Sequence, residues 1–225
     1  MTCRQVSHAG RVAAGGRTAG AILTRVIERM SRPSRALAIL LIIGGIVGLI
    51  AAFALTMDKI AVLEHPGFQP SCNISVLVQC GKNLASPEGA VFGFPNPIIG
   101  LVAFPAPIIM GVATLAGIRF PRWWWALFNV GMAFAIGFVA FLMTASVFAL
   151  FTLCPWCMTV WAVVIPMSLA TTLYDLREQN LPLGASVARI AGRLYGWMPI
   201  ITLVVYVIFA VIAQVRLDVL HRLFV

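Results

Sequence analysis

The chain has 225 residues, of which 61% are hydrophobic and only 10% charged, and its mean hydropathy is +0.98. Soluble domains sit near half apolar and a quarter charged, so this composition describes an integral membrane protein. The net charge of +9 does not mark a nucleic-acid binder, because no folded basic module with interleaved base-stacking aromatics accompanies it.

A hydrocarbon core of roughly 30 Å takes about 20 apolar residues per helix. Residues 1–35 hold seven Arg and one Glu and read as a basic, disordered cytoplasmic segment. Met30 is an alternative start, and Cys3 in this segment reads as incidental. The first span is predicted at Ala36–Met57. Its Ala52-Phe53-Ala54 resembles a signal-peptidase site, but the apolar run exceeds an h-region of about 7–15 residues. Gly44 and Gly48 form a small-xxx-small pair, read as close packing within the bundle, with a dimer face as the alternative.

A long loop over residues 58–94 follows, then a second span at Pro95–Ile118, bent by Pro105 and Pro107. Trp123–Tyr174 carries no charge and is too long for one helix, which predicts two spans joined by a short turn near Ala149–Leu153. Trp123, Trp124 and Trp125 read as an interfacial aromatic belt. Asp175–Arg193 is taken as a connection, and a fifth span is predicted at Leu194–Val215. The expected fold class is an all-α membrane protein, a four-helix bundle over residues 36–193 with an added fifth helix and short tail over 194–225.

Arginines cluster on one side of this topology. Arg119, Arg122, Arg177, Arg189 and Arg193 join those of the N-terminal segment, whereas the other side has only Lys59, Lys82, Arg216 and Arg222. The positive-inside rule then puts the N-terminus in the cytoplasm. Cys72, Cys80, Cys154 and Cys157 all fall on the outer side, where disulfides form and persist.

In the stretch LCPWC, proline favours the first helical position, which makes Cys154 the N-cap and places Cys157 in the first turn. The helix dipole there lowers a thiol's pKa, so Cys157 is expected to be the readier thiolate. The pair is also close enough to cycle between dithiol and disulfide. Structural zinc sites use short spacings in both halves. The seven residues between Cys72 and Cys80 therefore favour redox chemistry over a four-cysteine metal site or plain structural disulfides. Those two remain as the non-enzymatic alternative. His65 reads as an exposed loop residue, and Asn73-Ile74-Ser75 as an incidental sequon.

The loop SCNISVLVQCGKNLASPEGAVFGFPNPIIG resembles the bacterial homologues of vitamin K epoxide reductase. The likeness covers roughly residues 35–175 and lies in an ordered set. Cys72 and Cys80 come first, with Ser86 six residues on, then Phe92, Gly93, Pro95 and Asn96, then Gly100, and last a C-x-x-C opening the fourth span. In the unrelated four-helix quinone-linked thiol oxidases the C-x-x-C precedes the loop pair, the reverse of the order here.

The resemblance implies a quinone pocket capped by the loop, using menaquinone or ubiquinone. It implies Cys154 and Cys157 as the active pair with Cys157 facing the quinone, Cys80 as the relay thiol and Cys72 as the thiol that meets the protein partner. Asn96 is implied to hydrogen-bond the quinone, and Ser86 to support the pocket. Glu88 stands where many relatives carry an aromatic, which implies a cap of different polarity. Many relatives fuse a thioredoxin-like domain after the fifth span. The chain ends at Val225 without one, so a separate thioredoxin-fold, DsbA-like partner is expected outside a bacterial plasma membrane. The implied activity is quinone-dependent disulfide formation.

Overall fold

The computed structural model describes residues 35–218 apart from positions 66, 71 and 182. The basic segment with Cys3 and Met30, and the extreme C-terminal residues with Arg222, lie outside the described residues. Seven α-helices follow in order: α1 Arg35–Glu64, α2 Gly81–Ala85, α3 Pro97–Ala103, α4 Pro105–Leu115, α5 Arg122–Thr144, α6 Pro155–Arg177 and α7 Ala185–Leu217. A 3-10 turn at Pro87–Ala90 follows α2, and a π turn at Ala145–Leu150 extends α5. Five spans are long and apolar enough to cross a membrane, α3 and α4 together making one of them. The protein is thus a helical multi-pass membrane protein, and among the described residues β structure is confined to an isolated bridge between Val78 and Leu153.

α1 shows how the bundle is specified. Leu37, Leu41, Gly44, Gly48, Ala51 and Leu55 are buried, while Ile39, Ile43, Ile46, Ile50, Phe53 and Met57 are exposed. Both sets run at alternating spacings of four and three, so one stripe faces the bundle and the other faces lipid. The bulky residues point outward because lipid is as apolar as the interior. Close backbone approach then favours small residues inside. A Cβ on Gly48 would collide with the Phe104 ring, and one on Gly44 would meet Met167 Sδ at 2.6 Å. The glycine pair therefore packs α1 against its own bundle.

The helices end beyond the charge-free stretches. α1 continues seven residues past Met57, and α7 begins nine residues before Leu194. Charge-free counting finds only the part that suits hydrocarbon, whereas the helical hydrogen bonds continue into the interface. The second span breaks at Phe104, between Ala103 and Pro105, because Pro105 lacks an N–H and restarts the helix at its first position. The buried Phe104 ring fills the space that Gly48 leaves.

The tryptophan triplet divides. Trp123 is 63% exposed, but Trp125 is 2% exposed, its ring 4.8 Å from that of Tyr174. The belt reading fails for Trp125, which the helical turn rotates into the core, while Trp123 and Trp124 are exposed. Asp175, counted from sequence as a connecting charge, is buried inside α6. Its carboxylate accepts from Asn129 Nδ2 and Asn180 Nδ2, each at 2.9 Å. A charge is tolerated there because amide donors replace its water. α7 packs mainly on α6, outside the four-span bundle.

Candidate functional site

At the end of the bundle opposite Asp175, the loop between α1 and α3 folds back over the helix ends. Cys72 and Cys80 form a disulfide with Cα atoms 5.7 Å apart. Asn73 Oδ1 accepts from the backbone N–H groups of Cys80, at 2.9 Å, and Gly81, at 3.1 Å, and so supplies acceptors that the start of α2 lacks. The apparent sequon is a structural fastening.

A second set of bonds pins the loop to the turn before α6. Leu153 N–H donates to Leu77 O at 2.7 Å and Gln79 N–H to Leu153 O at 3.0 Å. Lys82 Nζ reaches Leu150 O at 2.7 Å, and Thr152 Oγ1 donates to Asn83 Oδ1 at 3.1 Å. Phe151, at φ 54°, closes the π turn by donating to Ser146 O. Its left-handed backbone reverses the chain in the space that the sequence allotted to a short turn.

These fastenings bring the four cysteines together. Cys80 and Cys154 are both fully buried, in a cluster with Cys72, Leu55 and Leu84. Cys154 Sγ lies 3.1 Å from Cys80 Sγ, while Cys154 and Cys157 are both free. Pro155 opens α6 and Cys154 is its N-cap, as its sequence predicts. The identity of the favoured thiolate, however, is corrected. Cys157 N–H donates to Cys154 Sγ at 3.4 Å, so the capping sulfur is the one that faces the helix N-terminus. The Cys157 thiol, also donating to that sulfur, holds the Cys154 pKa below the usual thiol range. Cys154 is the sulfur prepared to be a thiolate.

Beneath the cysteines lies a cavity of about 310 Å³, within the spans and bordered by α1, α3, α4, α5 and α6. That is the size of a small-ligand site, which spans roughly 300–1,000 Å³. Leu55, Phe104, Phe128, Phe138 and Trp161 give it an apolar wall, and Cys157 stands in that wall while Cys154 does not. The two cysteines, three residues apart at a helix start, thus face different neighbours: Cys154 the loop disulfide, Cys157 the cavity.

A sequence model of the vitamin K epoxide reductase family matches residues 39–172. The chain belongs to that family. The match covers the four-span bundle, the loop and both cysteine pairs, and it makes the chain an oxidoreductase concerned with thiol-disulfide and quinone chemistry in general. No curated protein matches the chain in a sequence search.

The polar residues of the cavity wall divide by how fully they are engaged. Ser86 Oγ donates to Asn83 O at 2.9 Å and accepts from Gly89 N–H at 3.1 Å. Asn96 Nδ2 donates to Glu88 O at 2.6 Å, and its Oδ1 accepts from Val91 N–H at 3.1 Å. Both residues therefore hold the cap over the pocket of this family member, and Asn96 retains one amide hydrogen. Asn83 Nδ2 and Glu88 Oε2, also in the wall, have no partner.

Asn83, Thr152 and Asn73 are residues that sequence reasoning missed. Thr152 offered no signal. Asn73 did, since it is an amide next to Cys72 in a loop whose backbone N–H groups need acceptors, whereas Asn83, three residues after Cys80 and inside α2, gave none.

Proposed function

We propose that this chain is a thiol:quinone oxidoreductase that reoxidises a separate thioredoxin-fold, DsbA-like protein outside a bacterial plasma membrane and so drives disulfide formation there. The observation that carries this reading is the 3.1 Å approach of Cys154 to Cys80 while Cys80 is bonded to Cys72.

The exchange steps balance as follows. A thiolate of the partner attacks Cys72, breaking Cys72–Cys80 and releasing Cys80. The partner's second thiol then attacks its own sulfur in the mixed disulfide, leaving the partner oxidised and Cys72 and Cys80 reduced. Cys80 attacks Cys154 of a Cys154–Cys157 disulfide and releases Cys157 as a thiolate at the cavity wall. Cys72 attacks Cys80, restores Cys72–Cys80 and releases Cys154. Each step is thiolate attack on a disulfide sulfur, so reach and thiolate fraction govern it.

The final arrangement has the bonding found here, with the loop pair joined and the C-x-x-C pair reduced. When bound in the cavity, a quinone supplies the sink for two electrons and two protons and becomes a quinol. The protein's part is to hold Cys157 against the cavity, exclude water with the capped apolar wall, and re-form Cys154–Cys157. Both menaquinone and ubiquinone offer ring carbonyls to the spare amide hydrogen of Asn96, and Ser86 acts through the cap. The clustering of arginine at the Asp175 end supports an outward-facing cysteine end.

The reading is tested by supplying a reduced thioredoxin-fold oxidase to the purified protein with quinone. Wild type should oxidise it, and Cys72→Ala should not, although the same variant still reduces quinone when dithiothreitol is the donor. Unimpaired oxidation of the thioredoxin-fold protein by Cys72→Ala would refute the relay.

A further inference from the structure

Asp58 lies on α1 three residues after Leu55, which packs in the buried cysteine cluster, and so shares the helix face onto which the loop folds. Its Oδ2 is 3.5 Å from Cys72 Sγ. Cys72 is bonded to Cys80 and carries no hydrogen, and a carboxylate carries none either. A hydrogen enters the contact only when the carboxyl is protonated and the bonded sulfur accepts, or when the disulfide opens and the Cys72 thiol donates. Charge pairing does not account for the placement. Among the described residues no cation lies within ion-pair distance of Asp58, and the neighbouring Lys59 Nζ is turned to Leu84 O at 2.7 Å.

We propose that Asp58 is a catalytic acid and base for Cys72, an inference that rests on the relay reading above. In that relay the Cys72 sulfur must first leave and later attack. As the partner's second sulfur attacks its own sulfur in the mixed disulfide, the partner–Cys72 bond breaks and the electron pair passes to Cys72. The Asp58 carboxyl proton follows it, leaving a thiol beside a carboxylate. When Cys72 then attacks Cys80 in the Cys80–Cys154 disulfide, the carboxylate takes that proton back, the Cys72–Cys80 bond forms and the electron pair leaves on Cys154. The partner's thiol protons pass to water, and Asp58 ends each cycle as it began.

Like charge keeps the proton in the pair. A thiolate released 3.5 Å from a carboxylate would set two negative charges in contact, at a cysteine that is only 7% exposed, and two acids that close hold one proton between them. A neutral carboxyl also admits the partner's incoming thiolate, which a carboxylate would repel. The other ionisable groups at this end are placed for other tasks. Lys59 and Lys82 are turned to the backbone oxygens of Leu84 and Leu150, and Glu64 and His65 are exposed where α1 ends. Glu88 stands in the cavity wall, and Cys154 and Cys157, at the start of α6, are the next pair in the relay.

The test has two readouts. In full-length protein carrying Cys3→Ala, Cys80→Ala, Cys154→Ala and Cys157→Ala, Cys72 is the only thiol, and its thiolate absorbance at about 240 nm is titrated. Adding Asp58→Asn should move the midpoint to lower pH by about one unit or more, since loss of the neighbouring charge favours the thiolate. In protein with its native cysteines, oxidation of a reduced thioredoxin-fold oxidase is followed with ubiquinone-1 as acceptor. Asp58→Asn should be slower than wild type by about tenfold or more at about pH 6, and should approach it as the pH rises toward the Cys72 midpoint, where the thiol ionises unaided. Asp58→Glu, which keeps the acid, should stay within about threefold of wild type throughout.

An Asp58→Asn pH profile parallel to that of wild type would overturn the proposal. So would a Cys72 midpoint that does not respond to Asp58→Asn, a result that leaves the relay standing. A loss in Asp58→Glu as large as in Asp58→Asn would assign the carboxylate to packing. Wild type that fails to oxidise the thioredoxin-fold oxidase would remove the relay reading itself, and with it the step that Asp58 serves.

Discussion

Cys80 and Cys154 hold their sulfurs 3.1 Å apart across 74 residues of sequence, while Cys80 remains bonded to Cys72. One sulfur thus touches two possible partners, and removing one should leave it to the other. In Cys72→Ala, mild oxidation is expected to produce a Cys80–Cys154 disulfide in most molecules. Non-reducing digestion and mass spectrometry would identify the linked peptides. A product dominated by Cys154–Cys157 with Cys80 free would mean that the contact is too strained to become a bond.

The loop keeps its place through Asn73 as much as through its disulfide. Asn73→Ala leaves the Cys80 and Gly81 N–H groups without their acceptor, a loss of about 1–3 kcal/mol in local stability. Hydrogen exchange at these two amides should accelerate by roughly one to two orders of magnitude. Amides in the α1 and α6 spans should not change.

The low pKa of Cys154 depends first on the thiol of Cys157. Cys157→Ala, made where Cys72 and Cys80 are also Ala so that no disulfide competes, should raise it toward the ordinary thiol range. The sign follows from the cause: the donated hydrogen stabilises the thiolate, so its loss favours the protonated form. The midpoint of thiolate absorbance at 240 nm should move to higher pH. At any pH below that midpoint the thiolate fraction falls as the pKa rises, and exchange slows with it.

At the other end of the bundle, Asp175→Leu strands two buried amide donors, those of Asn129 and Asn180. The expected cost is about 1–3 kcal/mol for each, read as a lowered midpoint of thermal unfolding in detergent. The Cys80–Cys154 exchange in protein that remains folded should be unaffected, since the two features occupy opposite ends of the spans.

How much of this was written locally can be judged residue by residue. The spans were legible because an apolar run of membrane length admits only helix, and the cap at Cys154 because Pro155 suits the first helical position and little else. The predicted topology also gathers Cys72, Cys80, Cys154 and Cys157 at one end of the bundle. What local sequence did not carry was every feature that depends on a second element. Trp125 turns inward because Tyr174 on α6 meets it. Asp175 is buried because α5 supplies Asn129. Cys154 outranks Cys157 as thiolate because its sulfur, and not its neighbour's, caps the helix. Asn83 is fixed by Thr152, distant in the chain, which donates to its oxygen.

The central claim is that the C-x-x-C pair hands electrons to a quinone, and it is tested most directly under anaerobic conditions. The purified protein is fully reduced, freed of reductant and mixed with ubiquinone-1, whose ultraviolet absorbance is followed. Wild type should consume quinone in proportion to its dithiols and form Cys154–Cys157, and Cys157→Ala should consume none. Unchanged quinone absorbance with wild type would contradict the account and leave a membrane bundle with a structural disulfide.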